Sequence, residues 1–291
     1  MLARGAAARV LIAASVLTLT GALAGEAGAT PSTAASSIWG GGFASSVAFA
    51  PTSTTMAVGS DVGGVHLSTD GGKSWRTVNR GMGTDNDGDV IDRRVAALFW
   101  DGPGVLYAAS GNAVAQKARI LRGVLAGGSV SWTPVAGTGI AGPSFTIEGT
   151  EGSNSAGQAF YGQAPRPTGH LIDKVGSTVL VLTQNNLLRS TSGDAGTWTA
   201  ASTGALWTQG QALATGFAVD PNSTGVGFAT VRTRPDDTPT VGQEGVYRLT
   251  NLTSGAVGGC RLTAPVGVAA GDSPQEVVAL KHGHSVVRGV G

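Results

Sequence analysis

The stretch Ser68-Thr69-Asp70-Gly71-Gly72-Lys73-Ser74-Trp75 spells out a turn in side chains. A short carboxylate two residues after a serine folds back on the turn's backbone N–H groups, and glycine supplies the positive φ that tight turns need. The indole then packs beneath, so the segment predicts a self-capped hairpin. Working upstream, Ser46 to Phe49, Met56 to Ser60 and Gly64 to Leu67 read as short strands separated by polar turns. The unit is therefore strand, turn, strand, turn, strand, tight hairpin, strand.

That unit returns along the chain in eroded form. Val95 to Trp100, Val105 to Ser110 and Ile120 to Gly123 lead to Ser131-Trp132. Leu171-Ile172, Thr178 to Thr183 and Leu187 to Ser190 lead to Gly196-Thr197-Trp198. A fourth copy begins at Phe217 to Asn222 and continues through Gly227 to Val231 and Gly245 to Leu249. Trp75, Trp132 and Trp198 recur at a spacing wider than the ~40–50 residues usual for propeller blades. The excess falls in loops such as Gly139 to Thr168 and Thr233 to Gln243.

Composition points the same way. Glycine supplies 47 of 291 residues and only 13% are charged, a profile poor in helix formers and rich in strand and turn formers. Repeated four-stranded units predict an all-β fold, a β-propeller of about four to five blades, incomplete or small; an immunoglobulin-like sandwich or an irregular solenoid are the alternatives. Cys260 is the sole cysteine, so no intrachain disulfide forms and the core carries the stability.

The N-terminus carries Arg4 and Arg9, an apolar run from Val10 to Leu23, and small-residue sites at Ala22-Leu23-Ala24 and Ala27-Gly28-Ala29. This order predicts a secretory signal peptide over residues 1–29, with an uncleaved anchor as the alternative, and a propeller domain over 30–291. Removing Arg4, Arg9 and Glu26 from 19 basic and 18 acidic residues leaves 17 of each. A neutral chain offers no electrostatic hold on nucleic acid or, after signal cleavage, on a membrane surface. An extracellular destination and a polysaccharide partner are the expectations.

The Ser68 to Trp75 stretch matches every fixed position of the Asp-box, Ser/Thr-x-Asp-x-Gly-x-x-Trp, so Ser68, Asp70, Gly72 and Trp75 are read as structural. Ser190 to Trp198 is a degenerate copy with its aspartate, Asp194, displaced. Asp-boxes occur in proteins of unrelated activity, so they speak for architecture and not for a reaction. Just before the box stand Trp39-Gly40-Gly41-Gly42-Phe43 and Ser60-Asp61-Val62-Gly63-Gly64. This order resembles the first blade of xyloglucan-active endoglucanases of glycoside hydrolase family 74. The resemblance covers about Ile38 to Gly81 and implies that Asp61 is a catalytic carboxylate, with Trp39, Gly63 and Gly64 at the substrate. An inverting glycosidase needs a second carboxylate ~6.5–9.5 Å away. The family draws it from a second propeller, and no second Asp-x-Gly-Gly motif occurs in this chain. A non-catalytic propeller binding polysaccharide or protein at the cell surface is the alternative.

Other groups are weaker candidates. Asp85, Asp87 and Asp89 alternate as calcium ligands do, but Val90 and Ala96 stand where an EF-hand needs glycine and glutamate, so a solvated acidic loop is the competing reading. No cofactor is otherwise implied. His282 and His284 lack a third ligand. Arg93, Arg94, Arg119, Arg122, Arg166, Arg189 and Arg232 are available for a sialidase-like carboxylate clamp, with no spacing that selects three. Trp39, Phe43, Trp100, Tyr107, Tyr161 and Trp207 could stack on sugars or fill the core.

Overall fold

Short runs of valine, leucine and alanine bounded by glycine, proline and aspartate give strands too brief to bury both faces alone. They solve this by forming small sheets that stack face to face. The computed structural model describes residues 44–51, 53–60, 62–83, 91–112, 117–145, 147, 171–183, 186–204, 206–207, 212–233, 245–262, 274–279 and 285–289, all within one unit, Ser36–Gly291.

Four antiparallel four-stranded sheets follow one another as the blades of a β-propeller. Blade I is β1 (Ala44–Phe49), β2 (Met56–Ser60), β3 (Gly64–Ser68) and β4 (Arg76–Thr77). Blade II is β5 (Val95–Trp100), β6 (Val105–Asn112), β7 (Lys117–Ala126) and β8 (Ser129–Gly137). Blade III is β9 (Ile172–Val175), β10 (Thr178–Leu182), β11 (Asn186–Ser190) and β12 (Thr199–Ser202). Blade IV is β13 (Ala212–Val219), β14 (Gly227–Thr233), β15 (Gly245–Thr250) and β16 (Gly258–Arg261). A fifth, two-stranded sheet, β17 (Pro274–Ala279) and β18 (Ser285–Gly289), lies against β13 and β14. Helical structure among the described residues is one 3-10 turn, Ile91–Arg93.

The first strands adjoin in order, β1 with β5, β5 with β9, β9 with β13 and β13 with β17, which is radial stacking about an axis. Register reveals a repeated device. Antiparallel pairing slips between Ala44 and Ser46 in β1, between Val95 and Ala97 in β5, between Ala214 and Gly216 in β13, and between Pro274 and Glu276 in β17. A bulge at the same place in four of the five first strands, β9 being the regular one, adds twist where the blades crowd the axis. It also marks β17 as a first strand, which the sequence reading, whose fourth copy is followed to Leu249, did not include.

The core is three interfaces between blades. Ala57, Val65 and Leu67 of blade I meet Leu98, Trp100 and Trp132 of blade II. Ala97, Tyr107 and Ile120 of blade II meet Ile172, Val181 and Trp198. Leu180, Leu182 and Leu187 of blade III meet Phe217, Val231 and Tyr247 of blade IV. Trp100, Tyr107 and Trp207, counted among possible sugar platforms, are buried in or beside these interfaces. Polar ties cross them too: Trp100 Nε1 donates to Ala48 O at 3.2 Å, Trp132 Nε1 to Val78 O at 2.7 Å, and Val219 N to Asp173 Oδ2 at 2.7 Å.

The two ends of the blades differ. At one end the connections are short, as at 101–104, 127–128 and 176–177, or are the capped hairpin 69–75. At the other leave 78–94, 138–171, 203–211, 234–244 and 262–273, together with the β2–β3 turn at 61–63.

Candidate functional site

Loops set on a rigid scaffold are where binding and catalytic groups concentrate, so the end bearing the long connections is the candidate face. Asp61 and Trp39 lie outside the described residues, as do Phe43, Asp85, Asp87, Asp89, Tyr161, Arg166, His282 and His284. The neighbours of Asp61 are described. Ser60 ends β2 and its hydroxyl accepts from Gly63 N at 3.0 Å and Val62 N at 3.4 Å. A serine ending a strand thus closes the turn locally.

A second hold on this turn comes from Asn79, which follows β4. Its Oδ1 accepts from Val65 N at 2.8 Å and its Nδ2 donates to Gly63 O at 2.8 Å. One amide pairs both a donor and an acceptor that the bend would leave open. Gly64 has φ +80°, and a Cβ there would stand 2.2 Å from Asn79 Oδ1. Gly64 is therefore glycine for two reasons, backbone conformation and the room Asn79 takes. Gly63 is half-buried; a Cβ on it would come within 3.0 Å of His66 Nε2 and 3.1 Å of Ser60 Oγ. His66 is 1% exposed, its Nδ1 lies 3.3 Å from Thr77 Oγ1, and its Nε2 meets no partner among the described residues. Burial holds its pKa below the ordinary value, so the imidazole is neutral at physiological pH.

The 78–94 connection is anchored by an ion pair. Asp92, fully buried, accepts through Oδ2 from Gly83 N at 2.7 Å and Arg119 Nη1 at 3.1 Å, while Arg119 Nε donates to Thr138 O at 2.8 Å. Burial pushes the Asp92 carboxyl upward, opposed by the Gly83 N–H and the Arg119 charge. Arg189, from blade III, donates to three backbone carbonyls of blade IV: Leu252 O at 2.6 Å, Gly255 O at 2.7 Å and Asn251 O at 2.5 Å. Two arginines considered for a carboxylate clamp are thus engaged elsewhere, one with an acid and one with main chain. Asn79 and Asp92 were not singled out in the sequence, and Arg189 only as a possible clamp residue, because their partners lie on other strands, turns or blades.

At the opposite end, the Ser68 to Trp75 hairpin is closed by its own side chains. Ser68 Oγ accepts from Gly72 N and donates to Asp70 Oδ1, both at 2.8 Å. Asp70 Oδ1 accepts from Ser74 N at 2.9 Å and Oδ2 from Ser74 Oγ at 2.6 Å. These bonds, led by that of the Ser74 hydroxyl, hold the Asp70 carboxyl well below the usual carboxylate range. In the related hairpin of blade III a hydroxyl does the corresponding work: Ser190 Oγ accepts from Gly193 N at 2.7 Å and pairs with Thr197 Oγ1, which donates to Asp194 O at 2.7 Å.

The three hairpin-associated tryptophans do not match. Trp132 and Trp198 are buried against the preceding blade, the latter edge-on to Tyr107 at 6.5 Å between centroids. Trp75 is only half-buried: it lies against its own turn, with Nε1 donating to Gly72 O at 3.1 Å, and leans on no preceding blade. The cause is position: no described blade precedes blade I.

Comparison with solved structures shows the same architecture. The fold resembles that of the GH74 xyloglucanase from Xanthomonas campestris, with a TM-score of 0.56 at 18% identity, over 87% of this chain and 34% of that one. It resembles a protein from Lactobacillus plantarum at a TM-score of 0.51 and 14% identity, over 84% of this chain and 64% of that one. The chain thus spans about a third of the xyloglucanase and under two thirds of the second protein. No protein-family model matches the chain. No curated protein matches it by sequence.

Proposed function

We propose that this chain is a secreted, glycoside hydrolase-like propeller that acts on xyloglucan or a related β-glucan at the end bearing its long connections, with Asp61 as one carboxylate. The observation that carries the reading is the order of three motifs along the sequence, in and just before blade I. Trp39 to Phe43, Asp61 to Gly64 and Ser68 to Trp75 follow one another as in xyloglucanases, and a xyloglucanase shares the fold. The turn that contains Asp61 is held by Ser60 from one side and Asn79 from the other, the two-sided support that a positioned carboxylate requires. Trp39, Gly63 and Gly64 are the proposed substrate contacts, a signal peptide over residues 1–29 is the proposed route out of the cell, and the Asp-box is the proposed identity of the Ser68 to Trp75 hairpin.

The test is release of reducing ends from xyloglucan by wild type and by Asp61→Asn. Activity in wild type that disappears in Asp61→Asn supports the assignment; equal activity in both, or none in wild type, removes it. A second reading, polysaccharide binding without turnover, is favoured by one observation. Asp92, the described acid on the connection from blade I to blade II, is committed to Gly83 and Arg119. Retention of the chain on insoluble glucan with no product formed decides for that reading.

A further inference from the structure

We propose that the outer face of blade I, presented by Val47 and Phe49 of β1, is a docking surface for the fifth sheet of a second copy of this chain. The two side chains are 50% and 67% exposed, apolar and on one face of the strand, turned away from blade II. Single exposed apolar side chains are ordinary, but these two share one strand face at positions that blades II and IV bury.

The repeat identifies what that occupant looks like. Counting from the shared bulge, Val47 and Phe49 of β1 correspond to Leu98 and Trp100 of β5 and to Phe217 and Val219 of β13. The backbone confirms the alignment, because the residue after each strand closes the next turn in the same way: Ala50 N to Thr55 O, Asp101 N to Val105 O and Asp220 N to Val226 O. In blade II those residues are 1% and 5% exposed, in blade IV 0% and 7%, and each pair sits in the core shared with the preceding blade. Position by position, the surface of blade I is thus an interblade interface, and its complement is a propeller blade. Trp75 agrees independently: its counterparts Trp132 and Trp198 are buried on a preceding blade, and Trp75 is not.

The chain itself supplies a sheet of this kind. β17 carries the first-strand bulge and lies on blade IV as each blade lies on the one before it, so the far side of β17–β18 comes next in the blade order. Exposure of Phe49 means that the same molecule's fifth sheet does not cover it. Head-to-tail stacking of copies continues the blade order across molecules, a heterologous contact that ends in a closed ring or an open chain. A formal net charge of +1 opposes self-association little.

Sedimentation of the full chain across a range of concentrations tests this. Wild type is expected to self-associate, and Phe49→Asp to raise the apparent dissociation constant at least ~30-fold with circular dichroism and Tm unchanged, because the replaced side chain is exposed. A wild type that stays monomeric at every concentration overturns the proposal, and so does association indifferent to Phe49→Asp. Should Phe49→Asp fail to fold, amide exchange at β1 in wild type decides. Protection that grows with protein concentration supports the second copy; protection independent of concentration assigns the face to a segment of the same chain.

Discussion

At the scale of single residues, the groups that shape this molecule are polar side chains that close turns. Asn79 serves the turn beside Asp61 through Val65 N and Gly63 O. Asn79→Ala leaves both unpaired and is expected to cost ~1–3 kcal/mol in chemical denaturation; if Asp61 is catalytic, the same change lowers kcat without touching substrate. Asp70 offers a titration. Its folded pKa lies below the unfolded one, so its contribution is present above the unfolded value of ~4 and fades as pH falls through the folded one. Asp70→Asn is therefore expected to lower Tm at neutral pH, with the difference from wild type shrinking on strong acidification; a constant difference would sink the capping role. His66 works in a different window. Its folded pKa is also depressed, but here the charged form is the one excluded, so the unfolded chain takes up the proton first. Stability is expected to decline as pH falls below ~6.5, and His66→Gln to flatten that decline in a Tm series from pH 8 to pH 5.

At the scale of elements, the clearest device is the grip of Arg189 on the β15–β16 turn. A guanidinium spreads donors in a fixed fork, which suits three carbonyls at once. Arg189→Met is expected to cost ~3 kcal/mol or more, since the Leu252, Gly255 and Asn251 carbonyls lose their donor together. Arg189→Lys should recover only part of this, and full recovery would show that charge alone suffices. Elements were also where sequence spoke most clearly. The strands of blades I to IV follow from apolar runs cut by Gly, Pro and Asp, and the Ser68 to Trp75 hairpin from side chains that bond within eight residues. Local chemistry is visible in local sequence. Asn79, Asp92 and Arg189 were not legible, because a polar residue does not announce a partner from another strand or blade. Nor did sequence separate Trp75 from Trp132 and Trp198, which carry similar local patterns and differ only in having a blade to lean on. The strands β17 and β18 lie beyond the fourth copy that the sequence reading recognised.

At the scale of the whole molecule, stability is a chain of contacts between neighbours, as in repeat proteins. Blades II and III are packed on both faces, whereas blade I shows Val47 and Phe49 to solvent. Native-state amide exchange on dilute protein is expected to be slowest in β6, β7, β10 and β11 and measurably faster in β1. Uniform protection across all blades would indicate a single closed cooperative unit instead. The division of labour between the two ends has a further meaning for how such a protein changes over time. Register is fixed at the end with the brief turns, where pairs such as Gly127-Gly128 or the Asp70 cap leave no slack. The far-end connections, beyond the residues that pin them such as Asn79 and Asp92, carry less of the duty to hold the strands in line. Insertions, deletions or grafted peptides there alter what the molecule touches while the stack beneath is inherited intact, so one architecture becomes a chassis for recognition surfaces that diverge independently of it.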